Sequence, residues 1–136
     1  MALPSIGGGR QIGDGNVNEV VLSTQGAPAT ATATATLTIA QLVTGIVLGS
    51  PSTSAATYTL PTVALTEATL SNVKVDSSFD FSVCNVDGSS SGVITMAIGT
   101  GWTIVGLATI AATAGTTGRF RARKTGAGAW TLYRLS

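Results

Sequence analysis

The segment Ser-Phe-Asp-Phe-Ser-Val-Cys-Asn-Val, residues 78–86, alternates between polar and apolar side chains over most of its length. Successive side chains of a strand point to opposite faces. The alternation therefore predicts a strand with both phenylalanines and Val83 on one face, and with Asp80, Ser82 and Cys84 on the other. Such a strand buries its aromatic face in a core and presents its polar face outward.

The chain beyond this segment continues as short apolar runs separated by glycine-containing turns. Short strands at such spacing are typical of a β-sandwich or barrel, and the pattern predicts an all-β fold. The predicted strands of this half are residues 93–98, 102–105, 107–112, 119–124 and 129–135.

The half before the segment is more mixed. Strands are predicted at residues 19–23, 45–48 and 56–60, while the Thr/Ala alternation of residues 29–38 fits either a strand or an extended arm. One or two short helices are also expected. Thr38 and Gln41 fit a capping box ahead of the first, with Gly45 as its stop.

The first helix is expected to turn Ile39, Leu42 and Val43 toward the core. The second, within residues 61–70, begins at a proline and is expected to cover one side with Val63, Ala64, Leu65 and Ala68.

The domain organisation follows from length and glycine content. A chain of 136 residues favours one domain. Glycines crowd residues 1–18, and glycine makes backbone order costly. We therefore predict a flexible N-terminal arm over residues 1–18 and a single β-sandwich domain over residues 19–136.

Charged residues make up 10% of the chain against about 25% in an average soluble domain, and the mean hydropathy is +0.43. A spanning helix needs about 20 consecutive apolar residues, and glycine and threonine interrupt the most apolar stretch, residues 104–114. No membrane association is therefore predicted. A chain so poor in charge is instead expected to lie against other subunits.

Catalytic chemistry has little support in the sequence. There is no histidine and a single cysteine, Cys84, so the usual general base and zinc ligands are lacking. Asp76, Asp80 and Asp87 could serve a glycosidase or a calcium site, but they fit a strand face and a turn better. We predict no enzymatic activity, no catalytic or metal-binding residues and no cofactor.

The charges that exist are divided along the chain. Residues 1–87 hold two basic and six acidic residues, a net charge of −4, whereas residues 88–136 hold five basic residues and no acid. Arg119, Arg121 and Arg123 alternate and should share one strand face, to which Lys124 and Arg134 could add. Complementary halves suit contacts between copies or with an acidic partner.

An acidic protein partner fits this pattern better than nucleic acid, because stacking aromatics are missing from that face. A merely solvated strand face is the remaining alternative. The predicted contact residues, to a protein partner or between copies of this chain, are Arg10, Asp14, Arg119, Arg121, Arg123, Lys124 and Arg134.

Several segments together resemble the capsid cement, or head decoration, proteins of tailed bacteriophages, including those of cyanobacteria. The segments are the glycine-rich residues 7–16, residues 37–46, 55–62 and 78–83, and the terminal pair 119–123 and 130–133. The resemblance implies a jelly-roll-like β-sandwich that forms a homotrimer on the outer capsid surface of the virion. It also implies that the trimer cements neighbouring copies of the major capsid protein without touching nucleic acid. The alternative is a fibre-tip or receptor-binding β-module of a phage.

Overall fold

The computed structural model describes residues 24–52, 54–87 and 92–136, which form ten strands and two helices. The predicted arm and the strand predicted at residues 19–23 lie outside the described residues. The elements are β1 (Ala29–Ala31), β2 (Ala35–Thr36), α1 (Ile39–Leu42), β3 (Ile46–Gly49), β4 (Ala56–Thr59), α2 (Val63–Thr69), β5 (Ser78–Asn85), β6 (Ile94–Ala97), β7 (Trp102–Val105), β8 (Thr109–Ile110), β9 (Thr117–Gly126) and β10 (Ala129–Arg134).

The strands form two mixed sheets. One has six strands in the order β1-β3-β5-β9-β10-β7, and the other has four in the order β2-β4-β6-β8. From β1 to β6 the chain alternates between the sheets, and each strand is parallel to the one two before it. β8 and β9 then run antiparallel to β6 and β5. Since jelly rolls are antiparallel, these parallel pairs leave the predicted jelly-roll topology unconfirmed, whereas the β-rich fold is confirmed.

The core lies between the two sheets and follows the alternation seen in the sequence. In β5, Phe81 and Val83 are buried. Phe81 stacks on Phe120 of β9 with ring centroids 5.6 Å apart, and Trp102 of β7 lies 5.4 Å from Trp130 of β10. Five of the seven aromatic residues, Phe79, Phe81, Trp102, Phe120 and Trp130, therefore pack together on the inner side of the six-stranded sheet.

The two sheets approach each other closely near β1 and β4. The buried hydroxyl of Tyr58 in β4 donates to the carbonyl of Ala31 in β1 at 2.8 Å. Gly49, at the end of β3, faces the same place, and a Cβ there would stand 2.5 Å from the Ile94 Cδ1 and 3.0 Å from the Tyr58 ring. Glycine is required because no side chain fits between the sheets at this point.

Both predicted helices are present, but some of the residues expected to face the core are exposed. The Thr38 capping box and the left-handed Gly45 (φ 84°) are confirmed. Val43, expected in the core, is 50% exposed because it follows the last helical residue.

In α2 the expected core residue Leu65 is 60% exposed, and Thr66 is buried instead. Val63 and Thr66 stand three residues apart and so share the inward face. The Thr66 hydroxyl is satisfied by donating to the Thr62 carbonyl at 3.0 Å, which lets a polar residue take the buried place.

Two strand predictions also change. The Ala/Thr alternation forms two short strands, β1 and β2, that belong to different sheets. The strand expected at residues 107–112 is reduced to Thr109–Ile110.

Candidate interaction surface

The outer face of the six-stranded sheet carries the feature that the sequence singled out. On β9, Phe120 and Ala122 are fully buried, while Arg119, Arg121 and Arg123 project to the other side. The predicted sharing of one face is confirmed. We call these three residues the arginine ladder.

The neighbouring strand β5 and the turn before it supply carboxylates to the ladder. Asp80 accepts hydrogen bonds from Arg121 Nε at 2.6 Å and Nη2 at 3.0 Å, and from Arg119 Nη2 at 3.1 Å. Asp76 pairs with Arg123. The hydrogen bonds from Arg121, with further help from Arg119, hold the pKa of Asp80 below its usual range. The expected solvent-facing aspartate is thus a partner of two arginines.

The ladder is fixed on its other side by β10. Tyr133 lies directly across from Arg121, and the hydrogen bond from Arg123 to Tyr133 is the largest influence raising the pKa of that guanidinium, followed by the one to Asp76. The arginine side chains remain 57%, 48% and 41% exposed in chain order. They are held in place and yet open to a partner.

Lys124 does not lie on this face. Its side chain turns toward α2, where Nζ is 2.7 Å from Glu67 Oε1 and the lysine side chain is only 13% exposed. Trp130 donates to the same oxygen at 3.1 Å. These two hydrogen bonds lower the pKa of Glu67. The expectation that Lys124 adds to the ladder is wrong, because the lysine fastens a helix to the sheet.

Arg134 is also turned away from the ladder. It lies over the Phe120 ring, 5.1 Å from the centroid, and donates to the carbonyls of Thr109 at 3.0 Å and Leu107 at 3.3 Å. The expectation that it shares the ladder face is wrong, since β10 places it on the side of buried Leu132. The two remaining predicted contact residues, Arg10 and Asp14, lie outside the described residues.

Sequence reasoning missed the apolar part of this face. Ile46 and Leu48 of β3 are half-buried and stand beside Ser82 and Cys84. At the far edge Val105 of β7 is 54% exposed and lies opposite Tyr133. The alternation of β3, with Val47 buried, was the available signal. Sequence alone did not say that β3 joins the sheet of the ladder.

Cys84 lies on the same outer face, as predicted. Its sulfur is 3.0 Å from the hydroxyl oxygen of Thr117 on β9. This contact is a neutral one and provides no base to activate the thiol.

Two of the three acids that the sequence analysis considered, Asp76 and Asp80, are paired with arginines of the ladder. Within the described ranges, no group of three or more metal-ligating side chains could hold an ion, and no helix is long and apolar enough to cross a membrane.

Comparison with known proteins gives no relative: no protein-family model, no curated protein and no solved structure matches the chain. The interaction surface must therefore be interpreted from its own geometry.

Proposed function

We propose that this chain is a structural virion protein of a tailed bacteriophage, which binds the outer surface of the capsid as a homotrimer and cements neighbouring subunits. The observation that supports it best is the arginine ladder, three exposed guanidinium groups held in register on an open sheet face. We further propose that the fold is jelly-roll-like, as in the cement proteins that the sequence resembles. The two sheets of the structure support this.

The make-up of this face suits a protein interface. Arginine and tyrosine are enriched in the centres of interfaces, where lysine and glutamate are depleted. Apart from the ladder and the two aspartates that hold it, the face presents Thr, Ser, Cys, Ile, Leu, Val and Tyr side chains on the described strands. On the β3 side of this face, Ile46 and Leu48 remain partly exposed and add apolar surface.

The mechanism of a cement protein is physical. Burying apolar surface stabilises a seam by about 25 cal/mol per Å² before the cost of association. Each copy holds neighbouring subunits at once, so several modest contacts act together through effective concentration. A ladder of arginines fixes the register of such a contact, because guanidinium groups bind carboxylates with defined geometry.

The experiment is a reconstruction of phage particles that carry this protein, with an epitope label for low-resolution confirmation. Density for three copies at sites between capsid subunits, repeated over the shell, would support the proposal. Label confined to the tail would refute it and favour the fibre-tip alternative. A purified chain that stays monomeric and fails to bind shells lacking it would refute it as well.

A further inference from the structure

We infer that the arginine ladder binds an extended acidic peptide segment of its partner protein, with Arg119 as the anchor. The inference deepens the proposed function and rests on it for the identity of the partner, but the chemistry of the ladder can be tested without a phage particle.

The arginine ladder carries more positive charge than its neighbouring aspartates balance. Three guanidinium groups face two carboxylates, Asp80 and Asp76, so one positive charge is left without a matching negative one. Asp80 is already shared, since both Arg119 and Arg121 donate to its Oδ2. An added carboxylate would complete the pairing.

Arg119 makes the fewest side-chain hydrogen bonds of the three arginines. Arg121 binds Asp80 through two nitrogens, and Arg123 is held by Asp76 and Tyr133. Arg119 uses Nη2 alone, at the longest of the three Asp80 distances, 3.1 Å. Its side chain is also the most exposed of the three, at 57%. Within the described chain the rest of its guanidinium group is available for a bidentate bond to a carboxylate.

The spacing of the arginines along β9 matches that of an extended peptide. Alternate residues of a strand repeat every 6.8 Å or so, which sets the separation of the arginines along β9. An extended peptide has the same repeat, so acidic residues at every second position share the side that faces the ladder, where one of them can reach Arg119. Ile46 lies beside Ser82, two strands from Arg119 with β5 between them, and gives the peptide an apolar border. The preferred ligand is therefore an extended segment with Asp or Glu at alternate positions.

Nucleic acid fits the same surface poorly. The ladder and its two aspartates keep only one unmatched positive charge, which offers little attraction to the continuous charge of a phosphate backbone. Base stacking needs exposed aromatic platforms, and Tyr133, which is half-buried and bonded to Arg123, is the one aromatic of this face in the described strands. Discrete carboxylates, which enter between these groups, suit the ladder better.

The test uses the full chain and two capped, fluorescently labelled peptides of identical composition. In one, Glu and Thr alternate, and in the other the same residues occur in pairs, so that fewer Glu side chains share a face. Anisotropy titrations at about 20 mM and about 200 mM salt span strong and weak screening. Arg119→Gln is the test variant. Lys74→Gln, which removes the same charge from the exposed turn before β5, is the matched control.

We expect the alternating peptide to bind about fivefold more tightly than the paired isomer, as one additional exposed ion pair of good geometry would give. Arg119→Gln should remove that preference, Lys74→Gln should retain it, and added salt should weaken both complexes. Equal affinity of the two isomers, an equal effect of the two variants, or no binding at low salt would each overturn the inference. Attachment to capsids that survives Arg119→Gln would also overturn it while leaving the proposed function intact.

Discussion

Replacing Asn85 with alanine is expected to destabilise the protein by about 3 kcal/mol. Asn85 ends β5 and is fully buried. Its amide nitrogen donates to the carbonyls of Gly92 at 2.8 Å and Ala111 at 3.0 Å, and its carbonyl oxygen accepts from the backbone N–H of Asp87 at 3.0 Å. One side chain thus joins the segments after β5, before β6 and after β8.

The magnitude follows from these three bonds. A typical hydrogen bond contributes about 1 kcal/mol net, and a buried group left without a partner costs about 1–3 kcal/mol. Alanine would remove all three hydrogen bonds, and water that enters at the loop would recover part of the loss. For a chain of this length the change corresponds to a fall in Tm of roughly 10 °C.

Urea denaturation followed by tryptophan fluorescence would measure the free energy of unfolding, and calorimetry would measure Tm. Asn72→Ala is the matched control, because Asn72 is an exposed residue of the turn after α2 and should change stability by less than about 0.5 kcal/mol. A loss below about 1 kcal/mol for Asn85→Ala, or an equal loss for both variants, would refute the assignment of Asn85 as the residue that ties these segments together.

Two further predictions concern the packing of the sheets and of α2. Gly49→Ala should cost about 1–3 kcal/mol in urea denaturation, because the new methyl group meets Ile94 across the sheets, whereas Gly26→Ala, with open space around it, should be nearly neutral; equal effects would contradict the close approach. The pKa of Glu67 is lowered by Lys124, so its pairing stabilises the fold above the usual glutamate pKa and is lost as the pH falls through the lower folded value. The Tm difference between wild type and Glu67→Gln should therefore be largest near neutral pH and shrink as the pH falls below the ordinary glutamate pKa, and a difference independent of pH would contradict the role of the charge.

The sequence predicted the elements that depend on local pattern. The alternation in β5 and β9 placed their side chains correctly, and the capping box at Thr38 located α1. The pairing of the strands could not be predicted from local sequence pattern, because β1 pairs with β3 and β2 with β4 through residues that are distant in sequence. Glycine-bounded short strands predicted a sandwich or barrel without a strand order, and the structure shows a chain that alternates between two sheets and builds parallel pairs.

The candidate site shows the same division. The arginine ladder could be predicted because alternation within one strand decides which side chains share a face. Its carboxylate partners could not, since Asp80 reaches the ladder only through the register of β5 against β9. Lys124 was misplaced because its position after Arg123 puts it on the inner side of the strand, where Glu67 of α2 compensates its charge. A basic residue on the inner face departs from the rule that this face is apolar. Its position is explained only by the carboxylate that pairs with it in the folded structure.

The low content of charged residues has different consequences for the outer faces of the two sheets. On the four-stranded sheet, Thr57, Thr95 and Thr109 stand side by side in register on the outer face. Their hydroxyl groups make that surface polar without any ion, so low charge there does not require a covering partner. The six-stranded sheet instead combines apolar Ile46 and Leu48 with a ladder that keeps one unmatched positive charge. If the chain assembles with another protein, physical chemistry therefore favours the six-stranded face as the side that meets it.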